Sequence, residues 1–314
     1  MLGVYDGLGS RLAEESGADA LWASSLGISA ADAVPDANIR TMTDFLAALR
    51  SIRSGSDLPV VADCDSGFGD VNNVAHMVTE YERAGASAVC IEDKMFPKRN
   101  SFSDNQKLCD PEEFAAKVRV AKQTQRDPGF MVRARLESLI AGAGMRDALA
   151  RGKLYESAGA DVILIHSKSA GPDEVLEFMK RFRDTGSTTP LAIVPTTYPQ
   201  LTFDDSVAAG ASVVVYANHD LRARIAASIS VRISRARRRK RRGRGSDRER
   251  GQGSRDYRDP GSSATRRAGG SAERDICGGN RYVRSMMAPA RRLRAEPLRK
   301  RLVRREHLHC DKSR

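Results

Sequence analysis

Short apolar runs recur through the first 230 residues, each followed by a polar turn and then by a longer stretch whose apolar residues fall three and four apart. The runs are Gly3-Val-Tyr5, Ala20-Leu-Trp-Ala23, Pro59-Val-Val-Ala-Asp63, Ala88-Val-Cys-Ile-Glu92, Phe130-Met-Val-Arg-Ala-Arg135, Asp161-Val-Ile-Leu-Ile-His166, Leu191-Ala-Ile-Val194 and Ser212-Val-Val-Val-Tyr216. Their length and continuity suit strands buried on both faces. Between them, Phe45, Leu46, Leu49 and Ile52, then Val74, Met77, Val78 and Tyr81, then Phe114, Val118 and Val120 repeat at helical spacing. Eight strands alternating with helices predict an α/β (β/α)8 TIM-type barrel, with an open doubly wound sheet as the structural alternative.

Local signals agree with that order. Ala84-Gly-Ala-Ser-Ala-Val89 recurs as Ala158-Gly-Ala-Asp-Val-Ile163 and Ala209-Gly-Ala-Ser-Val-Val214. Each is read as a glycine ending a helix directly before a buried strand. Asp110-Pro111-Glu112-Glu113 has the form of an N-cap, a first-position proline and a first turn rich in acids.

Charge divides the chain in two. Of 52 Lys and Arg and 40 Asp and Glu, residues 231–314 hold 28 and 9, so the overall net charge of +12 is +19 there and −7 in the first 230. Only 9 of those 84 residues are Leu, Ile, Val or Phe, about half the fraction of roughly 20% below which a highly charged segment stays unfolded. Residues 1–230 are therefore expected to form the barrel, and 231–314 a basic, low-complexity, disordered tail. Three origins compete for the tail: an arginine-rich arm that binds nucleic acid, a solvated extension without function, and a shift of reading frame near Val231. The frame shift is preferred because out-of-frame GC-rich codons favour Arg, Gly, Ala, Pro and Ser. Translation of the other two frames tests it. Only Tyr257 and Tyr282 supply the aromatics that an RNA-binding arm would interleave.

No apolar run approaches the roughly 18 to 20 residues needed to span a bilayer, and residues 1–10 lack a cationic segment followed by an apolar one. Neither a membrane partner nor secretion is expected, and a cytoplasmic protein is the default. The five cysteines, Cys64, Cys90, Cys109, Cys277 and Cys310, are odd in number and form no CxxC pair, which argues for reduced thiols rather than a disulfide framework or a zinc site.

In a barrel the chemistry collects at the carboxyl ends of the strands. Those ends read Ser24-Ser25-Leu26, Asp63-Cys-Asp65-Ser-Gly67, Glu92-Asp93-Lys94, Arg135-Leu-Glu137 and His166-Ser-Lys168, with Pro35-Asp36-Ala-Asn38 in the loop after the second strand. Carboxylates crowded at one mouth repel one another unless a cation sits among them. Oxygen donors of this kind favour magnesium or manganese over zinc. Each residue also has an ordinary reading: Asp63 and Asp65 as turn residues, Arg135 and Glu137 as a structural ion pair, His166 as a core histidine, and Cys64 as packing on the opposite face of its strand.

The residues also resemble a known family. Trp22-Ala-Ser24-Ser-Leu26-Gly-Ile-Ser-Ala, the Asp63-x-Asp65-x-Gly67 turn and above all Glu92-Asp-Lys-Met-Phe-Pro-Lys98-Arg-Asn100-Ser101 are similar to the phosphoenolpyruvate phosphonomutase family of the isocitrate lyase superfamily. Ala134-Arg135-Leu-Glu137, His166-Ser-Lys168, Val194-Pro-Thr196 and Ala217-Asn-His219-Asp-Leu-Arg222 continue the likeness in order, over about residues 3–230. The resemblance implies an isomerase that interconverts phosphoenolpyruvate and phosphonopyruvate, forming a carbon–phosphorus bond on the way to phosphonates. It implies that Asp63 binds Mg2+ directly while Asp65, Glu92 and Asp36 hold its waters. Arg135 and His166 would contact the phosphoryl group beside Asn100 and Ser24, and N–H groups near Ser25 and Leu26 would receive the carboxylate. Asp36 would serve as phosphoryl carrier or electrostatic guide, and Lys98, Asn100 and Ser101 would ride on a loop that closes over the substrate.

That loop also separates relatives. Superfamily lyases carry a Lys-Lys/Arg-Cys-Gly-His loop, which Lys98-Arg99-Asn100-Ser101 does not match. Phosphonopyruvate hydrolase is the nearer rival; it tends to carry Thr where this chain has Asn100, although Ala33-Val-Pro-Asp36-Ala-Asn-Ile39 and Val194-Pro-Thr-Thr-Tyr-Pro-Gln-Leu201 look as much like it as like the mutase. Two departures accompany the likeness. The chain opens almost on its first strand, where relatives carry another helix, and Ser25 stands where the mutases commonly have glycine. The family would continue past helix 8 with helices exchanged between subunits, so the homo-oligomer that it implies is placed in doubt by the unrelated tail.

Overall fold

The computed structural model describes residues 1–231, so the expectations made for 232–314 lie outside the described residues. Eight parallel strands run in sequence order: β1 (Leu2–Val4), β2 (Leu21–Ala23), β3 (Val60–Asp63), β4 (Ala88–Glu92), β5 (Met131–Leu136), β6 (Val162–Ile165), β7 (Leu191–Ile193) and β8 (Val213–Val214). Each falls within two residues of its expected run. The ring closes where Leu2 bridges Tyr216 in parallel and Gly3 N–H donates to the Tyr216 carbonyl at 3.1 Å. That bridge decides for a closed (β/α)8 barrel over an open sheet.

The helices are α1 (Gly7–Glu15), α2 (Ser25–Ala31), α3 (Met42–Gly55), α4 (Val71–Arg83), α5 (Pro111–Thr124), α6 (Ser138–Ala141), α7 (Gly144–Ser157), α8 (Asp173–Asp184), α9 (Phe203–Ala208) and α10, described over 219–231. Their starts follow the expected chemistry. Asp110 accepts from the N–H groups of Glu112 and Glu113 ahead of Pro111, and Asp70 caps α4 in the same way. Gly85, Gly159 and Gly210 sit at φ 85°, 99° and 98° just past helix ends, the left-handed turn that lets a helix hand over directly to the next strand.

Two apolar layers result from the alternation of side chains along each strand. Outward residues such as Leu21, Ala62, Val89, Ile91, Ala134, Ile163 and Ile193 pack against Phe45, Leu49, Met77, Phe114, Tyr155 and Phe178 of the helices. Inward residues Trp22, Val61, Cys90, Leu164, Ala192 and Val215 fill the barrel. Cys64 is fully buried in the outer layer, as its place opposite Asp63 and Asp65 predicted. Continuing the inward register by two residues at the carboxyl ends brings Ser24, Asp63, Glu92, Arg135 and His166 to one mouth, and on β7 it passes Ala192 and Val194 to reach Thr196. Among the described residues no helix is long and apolar enough to cross a membrane.

Candidate active site

The mouth of the barrel holds a pocket lined by Trp22, Ser24, Ser25, Leu26, Asp36, Asp63, Glu92, Lys98, Asn100, Ser101, Phe102, Arg135, His166, Val194, Thr196, Ala217 and Asn218. Every site residue expected from sequence except Asp65 lines it. Asp65 lies beneath, fully buried at φ 51°, in the turn after β3.

Ser24 is the N-cap of α2, its hydroxyl accepting from Gly27 N–H at 3.1 Å. Ser25 and Leu26 therefore stand in the first turn, where helix N–H groups have no intrahelical acceptor and favour an anion. Ser25 begins the helix with a negative φ, so replacement of glycine there costs the backbone donor nothing. Its hydroxyl donates to Asp63 Oδ2 at 2.9 Å.

The loop between β4 and α5 folds over the pocket. Lys94 and Leu108 bridge at its base, and Met95 N–H donates to the Lys107 carbonyl at 3.0 Å. Lys98 Nζ reaches 2.5 Å from Asp36 Oδ1 and 3.0 Å from Asp65 Oδ1, while Asn100 Nδ2 donates to Asp36 Oδ2 at 2.9 Å. Sequence reasoning gave Asn38 no role, yet it fastens the same loop. Its Oδ1 accepts from Lys98 N–H at 2.5 Å and its Nδ2 donates to Asp65 Oδ2 at 2.7 Å. The only sequence signal for it was its place two residues beyond Asp36.

On the opposite wall, Arg135 Nε lies 3.4 Å from Glu92 Oε2 and 2.5 Å from Glu137 Oε1. Arg135 Nη2 and His166 Nδ1 are 2.8 Å apart, and the same ring nitrogen is 2.8 Å from Glu137 Oε1. Nδ1 has one in-plane position, so it either accepts from Arg135 or donates to Glu137. The Arg135–Glu137 ion pair is real, and it coexists with a place in the pocket rather than replacing it.

These contacts set the charges. Burial alone would raise Asp36, but Lys98 and the Asn100 amide outweigh it and hold the carboxyl below its usual range. Burial raises Asp63, with Arg135 and Lys98 pulling back, and it pushes Asp65 up to about 7 against the pull of Lys98. Lys98 is held well above the usual lysine value because Asp36 and Asp65 overcome its desolvation. Burial, and then Arg135, lowers His166, so the imidazole is neutral near pH 7. Glu137 is held well below the usual range, since Arg135, Lys94 and His166 offset its burial.

Among the described residues no three His, Cys, Asp or Glu side chains converge closely enough to hold an ion by themselves. A magnesium ion does not need that: it keeps several waters and takes one or two carboxylates. Asp63, Asp65, Glu92 and Asp36 offer oxygen only, and Glu92 Oε1 is buried and makes no hydrogen bond, with the Lys94 ammonium 3.5 Å away, which leaves it able to accept from a metal-bound water. The residues fit such an ion.

Known proteins match over the same span. The family model described as phosphoenolpyruvate phosphomutase matches residues 1–233. The chain is 44% identical over 229 residues to a phosphonopyruvate hydrolase of Variovorax sp. (strain Pal2), covering 72% of this chain and 78% of the relative. It is 41% identical over 229 residues to a phosphoenolpyruvate phosphomutase of Streptomyces hygroscopicus, covering 72% of each. Among solved structures, a phosphoenolpyruvate phosphomutase from Streptomyces platensis subsp. rosaceus superimposes with a TM-score of 0.71 at 50% identity over 73% of this chain and 79% of its own. A phosphonopyruvate hydrolase in complex with oxalate and Mg++ follows at 0.70 and 44%, over 76% and 81%. With the barrel, the pocket and these matches in agreement, the chain belongs to the phosphoenolpyruvate phosphomutase family of the isocitrate lyase superfamily.

Proposed function

We propose that this enzyme interconverts phosphoenolpyruvate and phosphonopyruvate within one bound molecule. The bond from phosphorus to the enol oxygen breaks and a bond from phosphorus to carbon 3 forms, so no atom is gained or lost. Such a transfer passes through a loose, metaphosphate-like state that needs positioning and charge neutralisation more than covalent help.

Arg135 and His166 form the wall that receives the phosphoryl oxygens. Arg135 Nη2 brings a fixed charge, and a neutral His166 whose Nδ1 accepts from Arg135 turns its Nε2–H toward the pocket as a donor. The first turn of α2 at Ser25 and Leu26 receives the carboxylate, with Ser24 beside it. Asp63, Asp65, Glu92 and Asp36 are the residues that would hold a divalent metal ion, taken to be Mg2+, and a metal bound there supplies charge neutralisation for the enolate oxygens.

The observation that carries intramolecular transfer over transfer to water is the double engagement of Asp36. Lys98 holds one oxygen and Asn100 the other. Donors on both oxygens lower the basicity and the nucleophilicity of the carboxylate, so it is a weaker base toward water and a weaker nucleophile. The role its geometry supports is an electrostatic guide beneath a loop that keeps water out.

A second reading has its own support. The 44% identity to a phosphonopyruvate hydrolase favours cleavage to pyruvate and phosphate. A coupled assay separates the two. Supplied with phosphonopyruvate, Mg2+, lactate dehydrogenase and NADH, the mutase oxidises NADH only after pyruvate kinase and ADP are added. Oxidation without the kinase means hydrolysis, and no oxidation under either condition overturns both readings.

A further inference from the structure

The sequence places Glu137 among the acidic strand ends and, in its ordinary reading, as the ion-pair partner of Arg135; in the structure it is fully buried and its two oxygens serve different parts of the site. Oε1 lies 2.5 Å from Arg135 Nε and 2.8 Å from His166 Nδ1. Oε2 lies 2.8 Å from the Ser101 hydroxyl of the closing loop and 3.0 Å from Lys94 Nζ at that loop's base. The carboxylate is also fixed from behind, because the Glu137 N–H donates to Asp93 Oδ1 at 2.8 Å.

Ser101 completes the arrangement. Its hydroxyl accepts from Lys94 Nζ at 2.6 Å and from Arg135 Nη2 at 3.0 Å while donating to Glu137 Oε2. A hydroxyl has one proton and two lone pairs, so Ser101 uses its whole capacity on three buried charges. When the loop lifts, one partner is removed at once from Lys94, Arg135 and Glu137. Leaving buried ionic groups short of a partner is costly, and their geometry loosens in response.

We infer that Glu137 is a positioning residue that couples closure of the loop to assembly of the Arg135–His166 pair, one oxygen holding Arg135, which in turn donates to His166, and the other sensing the loop through Ser101. The consequence for turnover rests on the phosphoryl role proposed for that pair, whereas the coupling itself does not. Because Glu137 acts through Arg135 and His166, its loss falls on the step in which charge moves and not on initial substrate capture.

The test compares Glu137→Gln, Ser101→Ala and the double variant in the full chain, with two readouts. One is the rate of tryptic cleavage after the exposed Arg99 in the presence of Mg2+ and oxalate. The other is kcat and KM for phosphonopyruvate. Each single variant is expected to lose about 100-fold in kcat, the penalty of an ångström of misplacement, with KM within about threefold. Each is also cut faster, and the double variant is no worse than the worse single, because both substitutions break one unit. Losses that multiply in the double variant, or a Glu137→Gln protein with unchanged cleavage and kcat, overturn the coupling. Should Glu137→Gln fail to fold, Ser101→Ala alone decides, since a rise in KM without a fall in kcat is incompatible with it. A wild-type chain inert toward phosphonopyruvate, whose loop protection is still lost in the variants, overturns the proposed reaction while upholding the coupling.

Discussion

Replacing Lys98 by Met removes the cation from the centre of the acidic cluster while keeping the length of the side chain. The ammonium lies 2.5 Å from Asp36 Oδ1 and 3.0 Å from Asp65 Oδ1, and all three side chains are at most 5% exposed. Removing one partner of a buried ion pair costs about 3 to 5 kcal/mol, because a charge is left uncompensated. Here two carboxylates are left facing each other. The loop escapes the penalty by opening, so the cost falls on closure and the barrel itself is spared. At about 1.4 kcal/mol per factor of ten, kcat/KM for phosphonopyruvate should fall by roughly two to three and a half powers of ten at saturating Mg2+. The thermal midpoint should stay within about 3 °C of wild type, the range that a change of about 1 kcal/mol produces in a barrel of this size. Lys98→Arg keeps the charge but replaces a compact ammonium by a planar fork, so an intermediate loss is expected. A Lys98→Met enzyme within tenfold of wild type would refute the reasoning, as would one that loses activity only because it unfolds.

Asn100→Thr removes the amide donor from Asp36 Oδ2; a hydrogen bond to a charged group contributes about 1.5 to 3 kcal/mol, so the ratio of phosphate to phosphoenolpyruvate among the products should rise by about 10- to 150-fold, measured by the coupled assay with and without pyruvate kinase. Glu156 titrates near 2: burial would raise it, but hydrogen bonds from Lys153, Ser187 and Thr189 prevail. A depressed carboxylate stabilises the fold above its ordinary value of 4.5 and loses that contribution as pH falls through 2. Glu156→Gln should therefore flatten the dependence of urea stability on pH between 4.5 and 2, and an unchanged acid limb would contradict it. Gly3→Ala would place a Cβ 1.9 Å from the Ala217 carbonyl oxygen, backbone that cannot move aside where β1 meets the chain beyond β8. A loss of about 3 kcal/mol or more in urea unfolding is expected, and a loss below 1 kcal/mol would show that the barrel seam yields.

Much of this site was legible because a barrel strand alternates strictly. Once Val61 is placed inside, Asp63 is inside too, and the same step carries Cys90 to Glu92, Arg133 to Arg135 and Leu164 to His166. The glycine phrase and the Asp110-Pro111 start fixed element ends through local chemistry alone. The demand for a cation among the carboxylates was also readable as electrostatics. That Lys98 supplies part of that charge was not, since Lys98 reaches Asp36 across 62 residues of sequence and Asn38 reaches Lys98 across 60. Loops that fold over a mouth obey no period, and their pairings depend on where the barrel brings their ends. Glu137 was visible as an inward residue two beyond Arg135, but its division of labour needed the loop in place.

The central claim is that phosphorus stays within one molecule as it moves between carbon and oxygen. Phosphorus NMR of phosphonopyruvate carrying 13C at carbon 3, with the full chain and Mg2+ in 18O-enriched water, tests this directly. The account predicts loss of the one-bond carbon–phosphorus coupling together with growth of a phosphoenolpyruvate signal that carries no 18O at its non-bridging phosphoryl oxygens, since only the bridging oxygen descends from the exchangeable ketone. Inorganic phosphate carrying 18O as the product, or a coupled signal that never changes, would contradict it.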